Sequence, residues 1–322
     1  MRKIISFLAL PILFVMTGCF LSSAPQVLPG SPEDLISKGF QNLVGVSSYN
    51  FELNLDGVFD VVQVSELMKI SVNGILAGQV DSKLPEDPKL SLSLSGSGSS
   101  GSNTPETLVG ELKLNKENLY FKVTSLPSLG EAEVSQELLD QFAGKWWQVP
   151  VSEGTYTKDN PMFSLSAGDE EDVAARKELL EKYSFFKNVS AEGTVNVRGE
   201  DSYKFSAELN KDGVKGFITE NRELGGEPLS AEELEDLDKM LNSTTFTGFV
   251  YVGTKTERVN RVEGDLFVKD VSGKQVQEGN FDVSFTMWDF NKPVSLEIPS
   301  GAELFNPFML LGGPTTLEQP TE

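Results

Sequence analysis

The sequence predicts an α+β fold, a large antiparallel sheet carrying a few amphipathic helices. Three observations predict it. Apolar and polar residues alternate over long runs, the period of two expected of strands with one buried face. A few shorter segments instead repeat apolar residues every three to four positions, the helical period. The two patterns mix along the chain with no sharp linker between halves, which favours one domain over residues 31–305.

The chain opens on a targeting segment rather than on the fold. Arg2 and Lys3 precede an apolar run, Ile4 to Val15, that ends in Met16-Thr17-Gly18-Cys19. About a dozen apolar residues are too few for the roughly 20 that span a ~30 Å hydrocarbon core, so residues 1–18 read as a secretory signal. The tetrad resembles a bacterial lipobox, with Met where Leu is usual. That resemblance implies a lipidated Cys19 as first mature residue, tethering an extracytoplasmic protein to a membrane. Cys19 is also the only cysteine. Residues 19–30, short and bearing prolines, suit a tether.

In SPEDLISKGFQNLVGV, Ser31 is a candidate N-cap, Pro32 takes the first helical position, and Glu33 and Asp34 face the positive helix end. Ile36, Phe40 and Val44 recur every four residues as an apolar stripe. The period then switches to two. Tyr49, Phe51, Leu53 and Leu55 alternate with polar residues, as do Ile70, Val72 and, past Gly74, Leu76, and then Leu90, Leu92 and Leu94. Residues 95–103, SGSGSSGSN, read as a flexible hairpin loop; no Lys-Ser/Thr follows, which excludes a phosphate loop. Strands resume in ETLVGELKLNKENLYFKVTSL, with a turn at Lys116 to Asn118.

EAEVSQELLDQFAG predicts a helix with Val134, Leu138, Leu139 and Phe142 on one side, followed by a short strand, KWWQVP. Trp146 and Trp147, being adjacent, point to opposite faces of that strand. A third helix opens on Asp169 to Asp172, acids that read as a solvated helix start rather than a calcium loop. Two strands flank a turn near Gly199, and LSAEELEDLDKMLN forms a helix capped by Ser230. FTGFVYVGT, RVNRVEGDLFVK, EGNFDVSFTMWDF and VSLEIP read as the remaining strands, and residues 306–322 as a flexible tail.

Composition excludes several functions. The chain has 27 basic and 48 acidic residues. Loss of the leader removes two of the former and none of the latter, leaving 25 against 48, a net charge of −23. Such a surface repels phosphate backbones, so nucleic acid is not an expected partner. With no histidine, and its one cysteine reserved for lipid, the chain has no Ser-His or Cys-His pair and no Cys- or His-based zinc site. Ser184-Phe185-Phe186-Lys187 matches a Ser-x-x-Lys pattern without its companion motifs, and no enzyme or cofactor is expected.

Three stretches together resemble one family: YKFSAELN, GFVYVGTKTERVNRVEGDLFVK and, most specifically, FTMWDFNKPVSLEIPSGAE. They are similar to the LppX/LprG-type bacterial lipoproteins, which belong with the LolA/LolB lipoprotein-sorting fold. The resemblance covers roughly residues 33–299. It implies a strongly curved antiparallel sheet, a half barrel, with helices covering its concave face over an apolar cavity. It also implies a non-enzymatic protein that binds or carries a lipid or acyl chain. Ile36, Phe40, Val44, Val134, Leu138, Leu139, Phe142 and Trp146 are the candidate lining, with plain core packing the competing role for each. The alternative is an envelope module whose acidic surface docks a partner protein.

Overall fold

The computed structural model describes residues 28–63, 66–84, 87–100, 106–125, 142–151, 170–270 and 277–306. One sheet gathers the strands: β1 Ser48–Gln63, β2 Glu66–Asp81, β3 Lys89–Ser100, β4 Glu106–Leu114, β5 Asn118–Ser125, β6 Trp146–Pro150, β7 Phe186–Val197, β8 Glu200–Leu209, β9 Thr244–Gly253, β10 Val259–Asp270, β11 Gln277–Trp288 and β12 Glu303–Leu304. Their order is β12-β6-β5-β4-β3-β2-β1-β11-β10-β9-β8-β7. Every pairing is antiparallel except the two-residue contact of β12 with β6. The sheet is open and curved, as a half barrel requires.

The register explains the alternation. Directly paired residues share a face. Phe51 pairs with Met287 and Gly78, and Leu53 with Phe285 and Leu76, so one face is apolar from β6 through to β8. The partners left for the other face are Asn50, Glu52, Asn54 and Asp56. The apolar face is the inner one, because the helices lie on it.

Four helices are described: α1 Pro32–Gln41, α2 Glu170–Lys182, α3 Lys211–Leu224 and α4 Ala231–Ser243. Ser31 caps α1, accepting from the Asp34 N–H at 3.1 Å, with Pro32 in the first turn. Ser230 and Glu233 cap α4 reciprocally. α1 packs on β7, β9 and β10, α4 on β9 and β10, and α2 and α3 lean on these helices. Beneath them lies the main core, where Phe205, Val250, Val259 and Val283 are fully buried. Each such side chain contributes about 1.5–3 kcal/mol.

The structure corrects the sequence reading in three places. Ser95 to Ser100 belong to β3 and not to a hairpin loop, each residue in register with β2. A strand needs only its backbone ladder, and both neighbours supply it. VSLEIP makes no strand; residues 292–299 run without regular structure and the closing strand is β12. Residues 211–224, to which the sequence reading assigned no element, form α3. Its Gly213 and Gly216 are packing contacts: a Cβ on Gly213 would stand 1.9 Å from the Ser184 carbonyl oxygen, and one on Gly216 2.2 Å from the Tyr183 ring. The helix expected around Val134, Leu138 and Leu139 lies outside the described residues, as does Cys19.

Candidate functional site

Among the described residues, the inner face divides into a half covered by helices and a half that they leave uncovered. Over β7–β10 it is filled by α1 and by rings. Ile36 is 3% exposed among Phe205, Val250 and Val262. Phe40 lies with its ring 5.3 Å from Phe185 and 6.0 Å from Phe186, and Val44 is buried in the turn after α1. These three candidates therefore stand together, as core of the covered half. Phe142 is buried at the opposite edge, its ring 5.1 Å from Trp147. Of the two tryptophans it is Trp147, paired with Phe121, that lies on the inner face; Trp146, paired with Lys122, lies on the outer face beneath Lys113 and Lys122. The tryptophan candidate is thus corrected by one position.

Between these two clusters, among the described residues, no helix makes more than a slight contact with β1–β6. Phe51, Val80, Leu90 and Leu114 are buried at one end of this half. Toward the β1–β2 and β3–β4 turns the burial fades: Phe59, Val72, Leu92, Leu108 and Leu112 are half-buried and Leu94 is 37% exposed. Glycines make up the rest of the floor. Gly74 pairs with Gly96, Gly98 with Val72, and Gly110 with Leu94. A Cβ on any of these four would meet only backbone atoms, whereas one on Gly57, Gly78, Gly248, Gly264 or Gly279 would strike a side chain such as Phe281, Phe51 or Phe246. The bare floor is thus confined to the Gly74, Gly96, Gly98 and Gly110 stretch of β2–β4, since Gly78 on the same β2 already lies under Leu92 and Phe51. Sequence reasoning found the leucines by their alternation but missed the glycines, which leave no hydropathy signal.

The outer face is polar and ionic. Glu263 is 4% exposed on β10, accepts from the Tyr251 hydroxyl and pairs with Arg261. Burial pushes its carboxyl above the usual range despite Tyr251, Arg261 and Lys204. Burial and the Glu263 bond likewise push the Tyr251 phenol up. Arg198, in the β7–β8 turn, donates to Glu52 at 2.8 Å and lies 4.3 Å over the Trp288 ring. Burial raises Glu52, yet hydrogen bonds from Asn54 and Arg198 outweigh it and hold the carboxyl low. Asp56, Asp282 and Asp265 stand directly abreast on three neighbouring strands. Burial and the two flanking carboxylates push Asp282 up. Among the described residues, no group of three or more acids is arranged to hold a metal ion.

A solvent-open cleft of about 420 Å³ lies along α3, lined by Tyr183, Asp212, Lys215, Gly216, Thr219, Glu220 and Glu223. Of its charged lining residues, Lys215 is committed to Asp238 at 2.7 Å.

No protein-family model matches the chain. No curated protein matches it. Among solved structures the chain is similar to LprF from Mycobacterium bovis, at 12% identity over 84% of this chain and 97% of that one, with a TM-score of 0.39. It is similar to the lipoprotein LppX from Mycobacterium tuberculosis, at 13% identity over 83% and 98%, with a TM-score of 0.32. A LolA superfamily protein from Nitrosomonas europaea aligns at 8% identity over 81% and 94%, with a TM-score of 0.17.

Proposed function

We propose that the protein binds a lipid or acyl chain along the uncovered half of the inner face, as a lipid-anchored, extracytoplasmic, non-enzymatic carrier. The observation that carries this reading is the strip around Gly74, Gly96 and Gly98, bordered by Leu92, Leu94, Leu108 and Val72, over which none of the described helices packs. A half-exposed apolar trough on a rigid sheet is unfavourable in water, and a hydrocarbon chain laid in it removes both apolar surfaces from solvent. Each buried methylene contributes about 0.8 kcal/mol, so one long chain is held without a charged contact. Phe142 and Trp147 would wall the trough at one edge, with Ile36, Phe40 and Val44 behind the other. Val134, Leu138 and Leu139 join the lining in this proposal by their helical spacing alone.

Membrane attachment through Cys19 is part of the same proposal. Among the described residues no helix is long and apolar enough to cross a membrane. The test of carriage is native mass spectrometry of the purified protein with Cys19→Ala, before and after delipidation, with oleate as added probe. A stoichiometric, exchangeable adduct is expected, and a protein that never takes up oleate would sink the carrier reading.

One observation favours the second reading, an acidic docking surface. The carboxylates of Asp56, Asp282 and Asp265 stand in a row on the outer face, where no inner-face ligand needs them. A cationic envelope protein is the partner that row fits, and its capture would fall steeply as salt is raised.

A further inference from the structure

Phe281 stands where the bare floor of the sheet gives way to the covered half. It lies on β11, paired with Gly57 on β1 and with Leu266 on β10. Its ring rests on two glycines at once: a Cβ on Gly57 would stand 2.6 Å from one ring carbon, and one on Gly279, two residues before it, 2.5 Å from another. Phe59, paired with Gly279, brings its own ring within 6.5 Å at an interplanar angle of 31°. The other neighbour of Gly57 is Val72, and Val72 pairs with Gly98. The Phe281 ring therefore ends directly beside the glycine floor of β2 and β3.

Elsewhere on this face the same contact recurs. The Phe246 ring lies over Gly248 and Gly264, and Phe51 and Leu92 lie over Gly78. Such a side chain shields the backbone that a glycine leaves open and restores the apolar packing its missing side chain would have given. Gly74, Gly96, Gly98 and Gly110 have no such cover among the described residues. Phe246 is 3% exposed and locked in the main core, whereas Phe281 and Phe59 are only half-buried. Along the row Leu266-Phe281-Gly57-Val72-Gly98 the cover thus ends with Phe281. A hydrocarbon chain lying over Gly98 and Val72 and running toward β1 meets the edge of its ring.

We propose that Phe281, backed by Phe59, is the stop of the trough and sets the length of hydrocarbon it accepts; this rests on the carrier reading above. With the ring in place the bare floor spans β2–β4. Without it, Gly57 and Gly279 carry the same floor across β1 and β11, two strands further or about 10 Å. Leu55 and Val283 border that path on the same face, and both are apolar. What the ring limits is therefore chain length and not head-group chemistry.

The test is a competition between palmitate and a saturated 24-carbon fatty acid for the purified protein with Cys19→Ala, read by native mass spectrometry with and without Phe281→Ala. The ratio of bound 24-carbon to bound 16-carbon acid is expected to rise at least tenfold when the ring is removed. Phe281→Leu keeps an apolar side chain against the main core should Phe281→Ala fold poorly, and a rise of several-fold is expected from it. A ring that served folding alone would, on removal, lower uptake of both acids together and leave their ratio unchanged. That result, with the parent still binding, overturns the stop and leaves the carrier reading standing. A parent that takes up neither acid ends both.

Discussion

Gly74 on β2 stands directly opposite Gly96 on β3, on the inner face of the sheet, and a Cβ built on Gly74 finds only the Ser95 carbonyl oxygen, 3.7 Å away. That spacing is ordinary van der Waals contact, so a side chain fits there without moving the backbone and its bulk must rise into the trough. Gly74→Phe is therefore expected to preserve the fold while filling the proposed site. Oleate binding, followed by displacement of a fluorescent fatty acid, should weaken at least tenfold, about 1.4 kcal/mol. Undiminished binding by a folded Gly74→Phe protein would place the ligand elsewhere.

The anchor is tested independently. Cys19→Ala removes the only thiol available for acylation, and the variant is expected in the soluble fraction of a fractionated cell once its leader is cleaved. Membrane retention of the cleaved variant would contradict the lipidation of Cys19.

The phrase that most resembled a known family, DFNKPV, has a structural task. Asn291 adopts φ +57°, accepts from the Ser47 N–H at 2.9 Å and donates its own N–H to the Ser48 carbonyl at 2.7 Å. Ser48 Oγ donates to the Lys292 carbonyl at 2.6 Å, and Asn50 to Asp289 at 3.0 Å. The end of β11 is thereby clamped to the start of β1, holding the two halves of the sheet together. Asn291→Ala loses the side-chain acceptor and strains the left-handed backbone, so a loss of roughly 1–3 kcal/mol is expected in urea unfolding. Asn291→Gly relieves the strain and should cost less than Ala; the reverse order would remove the left-handed backbone from the explanation.

What could be read in the sequence follows physical signal strength. Phe51, Leu53 and Leu55, or Leu90, Leu92 and Leu94, announce strands because their neighbours are polar. Ser31 and Ser230 announce helices because caps are local. β3 beyond Leu94 was lost because serine and glycine carry no side-chain signal, while the ladder that holds them comes from β2 and β4. The leucine rim of the open strip was therefore visible and its glycine floor was not. The pairing of the last residues with β6 is non-local and leaves no periodicity at all.

The helix missed in sequence, α3, gives the sharpest stability prediction. Helix propensity alone favours Ala over Gly by about 1 kcal/mol. Yet at Gly213 a methyl group would lie 1.9 Å from the Ser184 oxygen, beside the Asn210 cap that receives the Gly213 N–H at 3.3 Å. Gly213→Ala is expected to destabilise the protein by roughly 1–3 kcal/mol, as overpacking does. A neutral or stabilising Gly213→Ala would mean that α3 does not pack against residue 184.

The row of carboxylates on the outer face ties stability to pH. Asp282 is flanked on the same face by Asp56 and Asp265, and burial together with these neighbours raises its folded carboxyl above the ordinary 3.8. A carboxyl raised in the folded state binds its proton more readily there than in the unfolded chain, so its contribution to stability falls as pH rises from the ordinary carboxylate range through the raised value. Asp282→Asn removes the charge and with it this loss. Like charges directly across a ladder cost roughly 0.2–1 kcal/mol, so the variant should be more stable than the parent by about that amount at pH 7, with the gain vanishing near pH 3. Urea midpoints measured at both pH values decide it. A variant equally stabilised at pH 3 owes its gain to something other than charge, and one destabilised at pH 7 shows that Asp282 is needed as a carboxylate, as a docked cation would require.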